Sequence, residues 1–409
     1  MPEPLGCAVR RALAILALPA VVAACRGGLF EEKYVMGEER IVRDFGGKVR
    51  VYGTVLLPAG RGGLLSIWSD EEGVWSLPLS RSGSPMRDPA RVSRLGAARI
   101  AGVSLEEGCA PSGARFVLVA APRVDVTEGT AGLEVMLLGP EGRRSRTVVM
   151  DGRVGPYTTQ VSVAGGCDGV LVGWHQGAIG DFSARVAFID VDEGAVTWER
   201  RLSDEGTNGF CPGLLAGQGG FMAAWGEVRP TFRSVRDKPV PDSLVMASLD
   251  LDGGFTAGPR YLLPTFRPCV APALQWSEDR IAVAYKDYPV EAFREGLYLA
   301  FVDTEGGIEG EPRRVGRGDG PDQPVLMSMS GGRLLTAVVR SLAFELLVGV
   351  NHLDPKGEKL SGELQIYAHQ VQFRHLSAVI AGRDILLHHV EQTNDGTRLL
   401  VTELHPSRR

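Results

Sequence analysis

Seven apolar stretches recur along the chain, each opened by a glycine or a charged residue: "GGLLSIW" (62–68), "ARFVLVA" (114–120), "GVLVGW" (169–174), "GFMAAW" (220–225), "RIAVAY" (280–285), "RLLTAVV" (333–339) and "DILLHHV" (384–390). A second short apolar stretch precedes each of them, and a third follows. Six of the third stretches end in a turn: "LSRSG", "LGPEG", "IDVDEG", "LDLDG", "VDTEG" and "LDPKG". The residue after the leading aliphatic is Ser80, Gly139, Asp190, Asp250, Asp303 or Asp354, at intervals of 51 to 60. Four short strands in a unit of this length make a β-propeller blade. Runs too short for helices and apolar on both facings suit strands sandwiched between neighbouring blades. In the turns, aspartate caps the reversal and glycine supplies positive φ. The fold expected is all-β, a seven-bladed propeller over residues 39–409.

The seventh unit lacks its outermost strand. Its third stretch, "TRLLVTELHPSRR", reaches the turn position at His405 and stops. Residues about 39–49, from the strand-like "RIVRDFGGKVRVYG", are expected to supply the missing strand and close the ring. Closure removes a sheet edge that would otherwise pair with other chains. Six blades with an appendage is the alternative.

Of the 409 residues, 53 are glycine and 25 proline, which favours many turns over long helices. A net charge of −5 gives no electrostatic case for nucleic acid as a partner. Near the start, Arg10 and Arg11 precede "ALAILALPAVVAAC", too short and too closely followed by polar sequence to span a bilayer. Its end, Val22-Ala23-Ala24-Cys25, resembles the bacterial lipobox. The resemblance implies a signal peptide over 1–24, a lipidated Cys25 and a tether over 25–38. An ordinary secretory signal is the other reading. Fully extended, Arg26 to Glu38 reaches roughly 40 Å, so the body stays near the membrane. Arg26 in place of Asp favours the outer membrane by the enteric sorting pattern. The chain is thus similar to bacterial β-propeller lipoproteins of unassigned activity, in the cell envelope and periplasmic or surface-facing.

Cys109 and Cys167 follow inner strands of adjacent blades, whereas Cys211 and Cys269 precede inner strands of another adjacent pair. Each pair is 58 residues apart, about one repeat. In an exported chain this predicts disulfides Cys109–Cys167 and Cys211–Cys269; four separate thiols is the alternative. Zinc spacing is not found.

The stretch "FIDVDEGAVTW" has alternating acids, but a calcium loop begun at Asp190 places Ala195 where glycine is needed and Arg201 where glutamate belongs. Asp190, Gly194 and Trp198 at steps of four resemble the tryptophan-docking motif of quinoprotein-like propellers, which implies that Trp198 packs on the next blade. The complete motif occurs once, so no quinone cofactor is carried over. "SDEEGVW" (69–75) fails as a sialidase-type Asp box and reads as a hairpin loop. A glycine-serine elbow, a P-loop and a zincin motif are all missing.

In a propeller, ligands gather where the loops between second and third strands, and between blades, surround the central channel. There the sequence offers Arg229, Phe232, Arg233, Arg236 and Lys238 in "GEVRPTFRSVRDKPVPDS", a local basic site for an acidic partner. His175 and Asp287 lie just after the second strands of blades three and five, on neighbouring loops, and could serve acid–base chemistry. His388 and His389 lie on opposite facings of one strand, so at most one faces inward. The expectation is a monomeric, non-enzymatic scaffold that binds envelope protein or glycan, with no metal, cofactor or catalytic residue assigned. A polysaccharide hydrolase or lyase is the alternative, and it requires carboxylates converging at the channel mouth.

Overall fold

The computed structural model describes residues 34–107, 109–110, 113–125, 129–158, 160–178, 181–228, 243–264, 270–287, 296–317, 323–342, 345–366, 372–393 and 395–406. They form seven antiparallel sheets in a ring, a seven-bladed β-propeller. Strands a to d, from the channel outward, are Gly53–Pro58, Leu64–Ser69, Val74–Leu79 and Ala90–Ser93 in blade one. In blade two they are Arg99–Ser104, Phe116–Ala121, Ala131–Leu138 and Arg144–Val154. Blade three has Val161–Gly166, Gly169–Ala178, Asp181–Asp190 and Ala195–Arg201. Blade four has Gly213–Gly217, Gly220–Val228, Ser243–Asp250 and Phe255–Pro264. Blade five has Ala273–Ser277, Arg280–Asp287, Gly296–Val302 and Arg313–Arg317. Blade six has Val325–Ser328, Leu334–Leu342, Glu345–Leu353 and Leu364–Ile366.

Blade seven takes Gln372–Ala381, Asp384–Gln392 and Thr397–Pro406 from one end of the ring and Tyr34–Asp44 from the other. The closing strand runs antiparallel to Thr397–Pro406, with Tyr34 opposite Pro406 and Asp44 opposite Arg398. It starts at Tyr34 rather than about residue 39, because it pairs along the whole of its neighbour through two bulges. It stops at Asp44, whose Oδ1 accepts the Gly46 N–H at 2.9 Å, and Gly46 turns the chain at φ +63°.

The core is divided among the seven seams rather than gathered at one centre. Period-2 alternation sends successive side chains of each b strand to opposite neighbours. In blade one, Leu64 and Trp68 pack towards blade seven, whereas Leu65 and Ile67 pack towards blade two. In blade four, Phe221, Ala223 and Trp225 meet blade three, and Met222 and Ala224 meet blade five. One apolar cluster fills each of the seven seams, so the ring has seven blades and not six with an appendage.

The c–d turns behave as their residues dictate. Gly83, Gly142, Gly194, Gly253, Gly306 and Gly357 all have positive φ, and each donates its N–H to the carbonyl of the residue that opens the turn. Asp190 Oδ1 accepts the N–H groups of Asp192 and Glu193, and Asp303 and Asp354 each cap two amides in the same way. The acidic pattern is turn chemistry.

These turns are also docking points. Trp198 donates its indole N–H to the Leu251 carbonyl at 2.6 Å and lies against Gly253 of blade four's turn. Elsewhere an arginine on or just before the outer strand does this work. Arg146 donates to the Asp192 carbonyl at 2.9 Å, Arg87 binds Glu141, Arg313 binds Glu358, and Arg40 of the closing strand donates to the Ser82 carbonyl.

Candidate functional site

Two faces result from this winding. One carries the b–c and d–a loops; the other carries the a–b and c–d turns. Among the described residues, no helix is long and apolar enough to cross a membrane.

Cys109 and Cys167, in the a–b connections of blades two and three, form the expected disulfide on the turn face, with Cα atoms 4.4 Å apart. Of the second expected pair, only Cys211 is among the described residues. Cys211 is a free thiol, buried beneath blade three, with its Sγ 4.0 Å from the Gly173 carbonyl. Its expected partner, Cys269, lies outside the described residues. Burial pushes the Cys211 pKa up to about 12, only partly offset by Ser162, so the thiol is unreactive in the folded ring.

Arg229, Phe232, Arg233, Arg236 and Lys238 lie outside the described residues, as does Cys25. His175 and Asp287 are described, and the structure does not join them. His175 is buried among Phe182 and Phe210, and its Nε2 meets the Tyr157 carbonyl at 2.6 Å. Its Nδ1 has no hydrogen-bond partner, and burial holds its pKa below the usual range. It is a packed histidine that secures the loop carrying Tyr157. Both His388 and His389 are buried, because both facings of their strand are covered. His388 Nε2 pairs with Ser66 Oγ of blade one at 3.0 Å, and His389 Nε2 with Thr402 Oγ1 at 2.9 Å.

The central channel, with a volume of about 520 Å³, is lined by inner strands of all seven blades. Its walls are mainly aliphatic, including Val55, Leu57, Val103, Leu214, Val325 and Ala378. At the loop-face mouth stand Tyr52, Arg99, Gln160 and Gln323. Gln160 Oε1 accepts the Ala271 N–H at 2.8 Å, and Gln323 donates to the Pro272 carbonyl at 3.3 Å, drawing blades three, five and six together. Among the described residues, no aspartate or glutamate lines the channel or this mouth.

A pocket of about 320 Å³ opens on the loop face where the closing strand runs into blade one. Phe45, Trp68 and Trp75 form its walls, with Arg43, Asp70, Glu71 and Glu72 around them. Trp68 and Trp75 stack at 6.4 Å, and Trp68 is buried, which leaves the half-buried Trp75 as the accessible ring. Asp70 fixes the arrangement. Its Oδ1 accepts the N–H groups of Glu72 and Gly73 and the indole N–H of Trp75, the last at 3.1 Å. Arg43 lies 5.9 Å from the Phe45 ring and Arg91 5.9 Å from the Trp75 ring. "SDEEGVW" is therefore a hairpin loop, as its residues indicate, but one whose tryptophan faces a pocket. No motif in the sequence marks this pocket, because Phe45 and Trp75 come together only through ring closure.

A wider cavity, of about 670 Å³, lies on the turn face between blades four and five. It is open because Gly217, Gly219 and Gly220 place no side chains there, and Trp276 is held at its wall by an N–H bond of 2.7 Å to the Ala216 carbonyl.

The sequence matches no protein-family model and no curated protein. Solved structures do match in fold. A crystal structure of a protein of unknown function from Dyadobacter fermentans aligns at a TM-score of 0.54 and 10% identity, covering 91% of this chain and 99% of that one. The polysaccharide lyase Uly1 aligns at a TM-score of 0.50 and 10% identity, covering 94% and 95%. At this identity the likeness is one of fold alone.

Proposed function

We propose that this chain is a lipid-anchored, non-enzymatic binding scaffold of the cell envelope, and that its loop face takes up glycan. The observation that carries this reading is the pocket of Phe45, Trp75, Arg43, Glu71 and Glu72. An aromatic ring offers a flat apolar surface to the C–H face of a pyranose, and the flanking ionic groups hydrogen-bond its hydroxyls. Anchoring through Cys25 would keep this face within a short tether of envelope polysaccharide.

The aliphatic channel agrees with a scaffold better than with a hydrolase or lyase. Carboxylate acid–base work needs two acidic groups facing one reacting bond. The described channel mouth presents glutamine, arginine and tyrosine instead.

The test is a glycan array probed with the full chain and with Trp75→Ala. Wild type is expected to bind a defined set of glycans, and Trp75→Ala to lose at least tenfold in affinity while keeping its melting temperature within a few degrees. Equal binding by the variant would remove the pocket from the account.

A further inference from the structure

Blade seven holds a cluster that neither the channel nor the loop-face pocket uses. Asp384 begins its second strand, and Glu403 and His405 end its third. Ile385 pairs with Leu404, so Asp384 stands across from His405 in the next register position. Glu403 and His405, two residues apart on a strand, share one facing. His405 Nδ1 is 3.0 Å from Asp384 Oδ1, and its Nε2 is 3.5 Å from Glu403 Oε2. One donor atom from each of the three residues lies within 4.8 Å of the others.

We propose that Asp384, Glu403 and His405 form a zinc site that fastens the ring at its closure. One imidazole and two carboxylates are a donor set suited to zinc, which takes nitrogen and oxygen ligands at about 2.0–2.2 Å. Ligand atoms around a tetrahedral zinc stand about 3.4 Å apart by that geometry. One zinc takes a single His405 nitrogen, so one of the two carboxylates turns from the nitrogen it now meets to the other, within a cluster whose ligand atoms already lie within 4.8 Å. All three side chains are partly exposed, which leaves both an entry path and room for water as a fourth ligand.

Charge points the same way. Apart from His405, neither Asp384 nor Glu403 has an ion-pair partner among the described residues. The pair carries two negative charges against one imidazole. Glu38 of the closing strand adds to this field, although Arg40 engages it at 2.8 Å.

Position gives the site its consequence. Gly37 of the closing strand sits so close to the His405 ring that a Cβ there would lie 2.4 Å from Nε2. A metal that fixes the imidazole therefore fixes the surface on which the closing strand rests. Zinc binding displaces the proton that His405 would otherwise share with its carboxylates, so binding strengthens as pH rises.

The experiment uses the untagged full chain, stripped of metal and then given zinc chloride at pH 7.5. Equilibrium dialysis is expected to retain one zinc per chain. At zinc a hundredfold above Kd the melting temperature should rise by roughly 2–4 °C. His405→Gln and Asp384→Asn are each expected to lose that zinc and that rise, with unchanged circular dichroism. Lowering the pH to 5.5 should weaken binding at least tenfold. Cobalt(II) in place of zinc should give the visible absorption of a tetrahedral site, absent from His405→Gln. No retained zinc, or retention undiminished in both variants, would overturn the proposal.

Discussion

Two adjacent histidines make the residue scale measurable. Burial holds the pKa of His388 at about 3 and that of His389 at about 4, against 6.5 for a free imidazole. Both are neutral in the folded ring, while the unfolded chain takes up protons below pH 6.5. Their contribution to stability is therefore full above that pH and is lost as pH falls towards the folded values. The slope expected is up to about 1.4 kcal/mol per pH unit for each histidine. Urea midpoints between pH 7.5 and 4.5 should fall steadily, and His389→Gln should flatten the slope; a flat wild-type profile would contradict the burial. His405 acts in the opposite window. Its pKa is raised, chiefly by the Asp384 hydrogen bond, so its contribution is present below pH 6.5 and lost as pH rises through its folded value. A second residue test is Gly253→Ala. It combines a φ of +80° with a Cβ that would lie 2.8 Å from the Trp198 ring, and should cost about 1–3 kcal/mol in chemical denaturation. Trp198 itself was readable, because Asp190, Gly194 and Trp198 at steps of four resemble the tryptophan-docking motif, which implies a packing role. The docking arginines were not. An arginine on a strand looks the same whether its guanidinium faces water or a carbonyl of the next blade.

At the scale of the element, strands and turns are local chemistry, and that is why the repeat exposed them. Apolar runs between glycine turns specify buried strands whatever their partners, and Asp-x-x-Gly specifies a reversal by itself. The closing strand obeys the same rules, but its length is set by its partner. Thr397–Pro406 offers a full edge, so the strand extends back to Tyr34. The cysteines divide along the same line. Cys109 and Cys167 lie at matching points of the turn face and are joined across one seam. Cys211 instead packs under Gly173, a burial that repeat spacing alone does not predict. Replacing Cys109 and Cys167 by serine reopens a loop of 58 residues and should cost up to about 4 kcal/mol by loop-closure entropy. Guanidinium unfolding with and without reductant measures it. A wild-type midpoint unmoved by reductant would show that the bridge adds nothing.

For the whole molecule, closure is what creates a site. The loop-face pocket exists only because Phe45, carried in on the closing segment, arrives beside Trp68 and Trp75 of blade one. The zinc site proposed for blade seven lies at the same join on the other face. Architecture was the legible part of the sequence; the pocket was not, since its walls come from segments without a shared motif. The function proposed is binding without turnover. The decisive measurement incubates the full chain with purified envelope polysaccharide and follows both retention and chain length by size-exclusion chromatography. Polysaccharide is expected to be retained, Trp75→Ala to retain far less, and chain length to stay unchanged. Shortened chains formed by the wild type would contradict that function.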